Sequence, residues 1–198
     1  MTPKFVVLLC AMFLAAAVYA AVSDPAVAQI QTLNASLLQS MHAGASLSMN
    51  ERYRQLEPVI EKVVALPLVT RLSVGPGWVN LSPDEQKALI AVFTRYTVAN
   101  YAHNFRDFDG QKFAIDDNVV TRGQDKVVRT QIIPAHDTPV SLLYRMHEVD
   151  GAWKIIDVED NGVSELISRR TDWAVALASG GAAGLIAHLN KVSDDLLK

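Results

Sequence analysis

Cysteine is almost missing from this chain: one residue in 198, Cys10. It lies inside an apolar leader, so the rest of the chain cannot depend on disulfides and its own core must hold it together. Basic residues number 18 against 21 acidic ones, and they do not cluster, which excludes the positively charged face that a nucleic-acid partner requires. Beyond the leader no apolar run is long enough to span a bilayer. The five histidines (His42, His103, His136, His147 and His188) never take a spacing that holds a metal, so neither a metal nor a cofactor is expected. There is no G-x-S-x-G elbow, no Walker A loop and no dinucleotide fingerprint. The glycine-rich stretch Gly180-Gly181-Ala182-Ala183-Gly184 follows a helical pattern instead of a strand, which is the wrong context for a phosphate cradle.

What is present begins with that leader. Lys4, the 13 apolar residues Phe5 to Ala17 and the small residues of Val18-Tyr19-Ala20 read as an export signal over residues 1–20, cut after Ala20. Ala26-Val27-Ala28 is a second possible cleavage point. Cys10 has Leu9 before it, where lipid attachment needs a small residue, so an unanchored, soluble monomer is expected. Removing Lys4 with the leader takes the net charge from −3 to −4. Residues 21–198 are ample for one domain and short for two.

The mature chain opens with helical periodicity: Ile30, Leu33, Leu37 and Met41, closed by Gly44. Ser48-x-x-Glu51 and Ser82-Pro83-Asp84-Glu85 are capping boxes that start two more helices. Pro58 is expected to kink the first of these. Leu66-Pro67 opens a short helix through Leu72, and Gly75-Pro76-Gly77-Trp78 is a rigid turn. The helix from Ser82 runs to about Phe108 with two apolar stripes, which means burial on two sides. After Asp109-Gly110 the period changes to two, and residues 111–120, 126–134, 140–149 and 152–159 read as four antiparallel strands. The last pair is a hairpin about Asp150-Gly151. Its alternation places Leu142, Tyr144 and Met146 on one face, and groups Trp153, Ile155 and Asp157. Apolar residues on both faces predict cover on both sides. Helix resumes from Val163, and Gly180-Gly181 interrupts it. The architecture is α+β: helices, a curved four-stranded antiparallel sheet, then helices across it.

Few residues suggest chemistry. His136-Asp137 reads as a solvated turn, and Arg145 with Asp157 as a structural ion pair across the hairpin or two solvated charges. The aromatics gather at Trp78, Phe93, Tyr96, Tyr101, Phe105, Tyr144, Trp153 and Trp173. A packed core and an apolar ligand cavity both suit them, and periodicity does not separate the two.

An ordered set of motifs does. Leu66-Pro67 with Thr70-Arg71-Leu72, Val74-Gly75, Trp78, the Phe93 to Tyr101 segment, Gly110-Gln111 and Tyr144-Arg145 come first. Gly151-x-Trp153-Lys154-x-x-Asp157-Val158, Gly162-Val163-Ser164, Arg170 and Gly180-Gly181-x-x-Gly184-Leu185 follow. Together they resemble the MlaC-like (toluene-tolerance, ABC-transporter auxiliary) family over nearly the whole mature chain. Phe93-Thr94-Arg95-Tyr96 with Tyr101 and Phe105 is most similar to its hopanoid-associated, HpnM-type branch. Two departures stand out: Trp173 where the family usually has Phe, and Val64-Ala65 before Leu66-Pro67 where an aromatic-acid pair is common.

The resemblance implies a periplasmic carrier with an NTF2-like fold, its sheet and helices enclosing an apolar pocket. Such a carrier is not an enzyme; it shuttles phospholipid or a hopanoid-type lipid between an inner-membrane ABC-type transporter and other membrane complexes. The pocket residues expected are Val69, Leu72, Trp78, Val92, Phe93, Tyr96, Tyr101, Tyr144 and Met146. Two alternatives stay open: an enzyme on the same scaffold, for which Asp157 with Tyr144 is the only candidate dyad, and a ligandless adaptor with a solid core.

Overall fold

The structure is a computed structural model that describes residues 23–198; the leader, its cleavage after Ala20 and Cys10 lie outside the described residues. Helix α1 (Pro25–Ala43) starts where Asp24 accepts the Ala26 N–H, and it ends at Gly44. Its buried stripe includes Ala26, Val27, Ile30, Leu33 and Leu37. Cleavage after Ala28 would remove the cap and two of those side chains. Helix α2 (Met49–Val63) begins at the Ser48–Glu51 capping box and runs past Pro58 to Val63. Pro58 is exposed, so the Arg54 carbonyl it leaves without an amide partner is on the wet side of the helix.

Arg52, on the other face of α2, is fully buried without a carboxylate beside it. It donates to the Ser40 and Gly44 carbonyls and to Ser40 Oγ. These carbonyls sit at the C-terminus of α1, where the helix dipole is negative and a cation is favoured.

Helix α3 (Leu66–Val74) leads into a 3-10 turn, Gly75–Asn80, and α4 (Pro83–Asn104) starts at its own capping box on Ser82 and Glu85. The expected run to Phe108 stops at Asn104, and Phe108 is exposed. The sequence after it, Arg106-Asp107-Phe108-Asp109-Gly110, is dominated by turn formers.

The sheet has six strands where the periodicity suggested four: β1 (Lys112–Ile115), β2 (Val120–Arg122), β3 (Asp125–Ile133), β4 (Val140–Val149), β5 (Ala152–Asp160) and β6 (Val163–Ser164). Their order is β1-β3-β4-β5-β6, with β2 also on β3, and every pair is antiparallel. The first expected strand is split because Asp116 Oδ1 accepts the Asn118 N–H and turns the chain. At the other end, Val163-Ser164 forms strand before it forms helix. Asn161 and Gly162 both have positive φ (48° and 85°), the conformation of a tight hairpin, and return β6 onto β5.

A β-bulge changes the facing of β5. Tyr144 pairs with Val158 and Met146 with Ile155, while Asp157 pairs with Arg145. The extra residue is Ile156. Ile155 and Val158 therefore share the Tyr144 face, and the expected grouping of Ile155 with Asp157 is corrected. The expectation of cover on both faces is corrected too. Leu142, Tyr144 and Met146 are buried, whereas Gln131, Ser141 and Arg145 leave the other face open to solvent. Asp157 makes no ion pair with Arg145, which binds Asp125 instead, along with His147.

Helix α5 (Glu165–Leu196) is two limbs joined at Gly181, whose φ of 61° and ψ of −164° break it where the glycine pair predicts. The first limb buries Leu166 and Trp173. The second buries Ala182, Leu185 and Leu189 and is tied to α4 through Arg95, which donates to Asn190 and Asp194. The core lies between the helices and the Tyr144 face of the sheet.

Candidate lipid-binding cavity

The bulge matters because it sets Val158 beside Tyr144. These two, with Leu142 of β4 and Ile132 of β3, make one wall of a cavity of about 230 Å³. The opposite wall is a single face of α4: Tyr96, Thr97, Asn100, Tyr101 and Asn104 recur at the three- and four-residue spacing of a helix. The first two turns of α5 close the side with Glu165 and Arg169. A smaller chamber of about 40 Å³ lies behind, between Val64, Val69, Phe93, Ile155, Ile156 and Asp157. The two chambers have Thr97, Tyr101, Val158 and Arg169 in common. All six residues that line only the inner chamber are buried, whereas Asn104, Asp160 and Glu165 at the outer one are exposed. The result is a narrowing, mostly apolar passage with a polar mouth.

Its aromatic lining is fixed by ring contacts. Tyr101 stacks on Phe105 with centroids 5.8 Å apart, and Phe93 meets the edge of Trp173 at 5.3 Å. Trp173, one of the two departures from the family pattern, thus supports the wall from behind. The other departure, Val64-Ala65, crosses the bulge: the Ala65 N–H donates to the Ile155 carbonyl at 2.9 Å, and Val64 lines the inner chamber. Burial pushes the Tyr101 hydroxyl up to about 12 and the Tyr144 hydroxyl well above the ordinary tyrosine value, so both stay neutral. Thr97 Oγ1 is buried with no hydrogen-bond partner. A third space, of about 500 Å³, lies in the crotch of the two α5 limbs and has Tyr96 and Arg169 in its wall.

Of the residues expected to line a pocket, Tyr96, Tyr101 and Tyr144 meet at the outer chamber, and Val69, Phe93 and Tyr101 at the inner one. Val92 and Met146 are buried in the packed core. Leu72 and Trp78 are half-buried against that core, where their carbonyls accept from Arg170 and Gln86. Thr97 was not anticipated, although it stands four residues from both Phe93 and Tyr101. Val158 had no signal in the sequence, because the bulge alone brings it inward. Arg169 and Asp160 read as ordinary surface charges.

The dyad considered for an enzyme is not assembled. Tyr144 lines the outer chamber and Asp157 the inner one, no hydrogen bond joins them, and the Asp157 oxygens are occupied. Oδ2 accepts from Ser164 Oγ at 2.6 Å, and Oδ1 accepts the Leu166 N–H at 3.0 Å. Asp157 therefore anchors β6 and the start of α5. The Asp125–His147–Arg145 cluster stands on the open face of the sheet, away from the cavity. Among the described residues there is no group of His, Cys, Asp or Glu that could hold a metal, and no helix is long and apolar enough to cross a membrane.

Two comparisons place this architecture. The family model described as MlaC protein matches residues 31–191. The solved structure of a phospholipid-binding protein from Ralstonia solanacearum, in complex with a phospholipid, has the same fold: TM-score 0.76, 21% sequence identity, 87% of this chain and 99% of that one covered. The sheet-and-helix arrangement is the NTF2-like one that the motifs imply.

Proposed function

Because the chain belongs to the MlaC family, we propose that it is a periplasmic phospholipid carrier, exported by its leader and exchanging lipid with membrane complexes, one of them an ABC-type transporter. The observation that carries the reading is the narrowing passage itself. Its depth is mostly apolar, its mouth is polar and open, and the one carboxylate of the inner chamber, Asp157, is already bonded to Ser164 Oγ and the Leu166 N–H. Each methylene hidden from water contributes about 0.8 kcal/mol. A carrier needs this kind of wall, and needs few polar contacts, since the headgroup can stay wet. A ligandless adaptor has no use for such a space, and an enzyme on this scaffold would need the acid that Asp157 does not supply.

The shape favours an acyl chain over a hopanoid. The passage narrows past Thr97 and Tyr101 into a chamber of about 40 Å³, room that the end of a slender acyl chain can use and a broad fused-ring system cannot. A cavity of about 230 Å³ is also small beside the roughly 300–1,000 Å³ of sites for compact ligands. The walls must part to admit a second chain. The Ralstonia protein, described as bound to a phospholipid, supports the same choice.

Native mass spectrometry of protein recovered from a periplasmic fraction tests this directly. The expected spectrum shows a chain beginning at Ala21 and carrying the mass of one diacyl phospholipid. A hopanoid mass would overturn the choice of ligand, and bare protein would overturn the carrier reading.

A further inference from the structure

Arg169 stands in the walls of the outer chamber, the inner chamber and the crotch of α5 at once. Its side chain is only 21% exposed. Arg52, Arg95, Arg145 and Arg170 each donate to carbonyl or carboxylate oxygens within hydrogen-bond distance. Among the described residues, Arg169 has only Glu165 Oε2 at 3.6 Å, beyond that distance, and the face of Phe93 at 5.5 Å. A guanidinium largely withdrawn from water, whose one nearby carboxylate is the half-exposed Glu165 at 3.6 Å, has its desolvation cost only partly offset and keeps donors to spare. A phosphate oxygen pair at the mouth would remove it, because the planar fork of arginine fits a phosphate with two parallel charge-assisted bonds.

The rest of the rim opposes a ligand that is only anionic. Asp160 and Glu165 flank the same mouth, with the neutral amides of Asn100 and Asn104 facing them from α4. One cation beside two anions complements a group that is itself a dipole, negative at a phosphodiester and positive at an ammonium.

We infer that the mouth selects zwitterionic, ammonium-bearing phospholipids over anionic ones, with Arg169 taking the phosphodiester and Asp160 and Glu165 taking the ammonium. The inference rests on the phospholipid-carrier reading above and adds to it a headgroup preference. An anionic phosphatidylglycerol headgroup would satisfy Arg169 and then meet two carboxylates. A phosphatidylethanolamine headgroup satisfies both sides.

The test uses delipidated full-length mature protein incubated with vesicles of equal phosphatidylethanolamine and phosphatidylglycerol, repurified, and extracted for lipid quantification. Wild type is expected to hold the ethanolamine lipid in about two- to fivefold excess, the range one exposed ion pair contributes. Asp160→Asn with Glu165→Gln should bring that ratio to the vesicle ratio. In a second incubation with vesicles that also contain diacylglycerol, which lacks the phosphate, Arg169→Gln should lower phospholipid relative to diacylglycerol about tenfold. Arg169→Lys, which keeps the charge and the stem over Phe93, should fall between and shows that the glutamine effect is not a folding failure. Equal loading of the two phospholipids by wild type, or an unchanged phospholipid-to-diacylglycerol ratio in Arg169→Gln, would overturn the inference and leave the carrier standing. Wild type that takes up none of the three lipids would overturn the carrier reading and this inference with it.

Discussion

Val158 and Met146 are neighbours on the same sheet face, yet added bulk should have opposite consequences at the two positions. Val158 borders both chambers, so Val158→Trp grows into space that lipid would otherwise occupy. Met146 is 0% exposed inside the core, so Met146→Trp has nowhere to go. It is expected to cost about 1–3 kcal/mol by overpacking. Thermal melting against delipidated wild type, with extraction of bound lipid, separates them: Val158→Trp loses lipid at little cost in melting temperature, and Met146→Trp loses stability. The delipidated reference is needed because bound ligand itself raises apparent stability. A melting temperature for Val158→Trp as low as that of Met146→Trp would mean that the passage is not a usable void.

Among the elements, the limbs of α5 depend on one residue. The φ and ψ of Gly181 fall in a region that is essentially reserved for glycine, while its neighbour Gly180 has no positive φ. A Cβ at either position meets nothing within 4 Å, so the difference between them is one of backbone alone. Gly181→Ala should destabilise by about 1–3 kcal/mol, and Gly180→Ala should stabilise by about 0.5–1 kcal/mol through helix propensity; denaturant unfolding of the two variants reads both signs.

That break was visible in the sequence, as were the two capping boxes and the Asp150-Gly151 hairpin, because each is a local preference written in adjacent residues. The bulge at Ile156 was not. It is held from afar, by the Ala65 N–H on the Ile155 carbonyl, and nothing in the alternation of β5 announces it. The cavity was legible to the same extent. Its aromatic residues stood out by type, and its rim did not, since Asp160, Glu165 and Arg169 have the spacing of any solvated helix start.

For the molecule as a whole, the neutral tyrosines of the interior set an alkaline limit. Tyr101 titrates near 12 in the folded protein, and Tyr144 lies well above its ordinary value, against about 10 in an unfolded chain. The stability they contribute is fully present below about pH 10 and is lost as pH rises from there through the folded pKa, because only the unfolded state gives up the protons. Unfolding should therefore set in above pH 10, and Tyr144→Phe should move its midpoint upward in a pH titration followed by circular dichroism. A midpoint that does not move would place Tyr144 in contact with solvent.

The ion pair between Asp24 and Lys126 spans 102 residues, and Arg95 to Asp194 spans 99. The stripe of α1 is completed by β1, β3 and β5, which follow it by about as far. A chain emerging from its N-terminus meets α2 early, where Arg52 ties the end of α1, but not the strands that complete the stripe; contacts of such separation form slowly because long loops must be ordered first. The late closure has a use. If the chain is exported as proposed, a polypeptide that cannot finish folding until its last third is made can still be threaded through a membrane pore, and its greasy interior would close only on the far side.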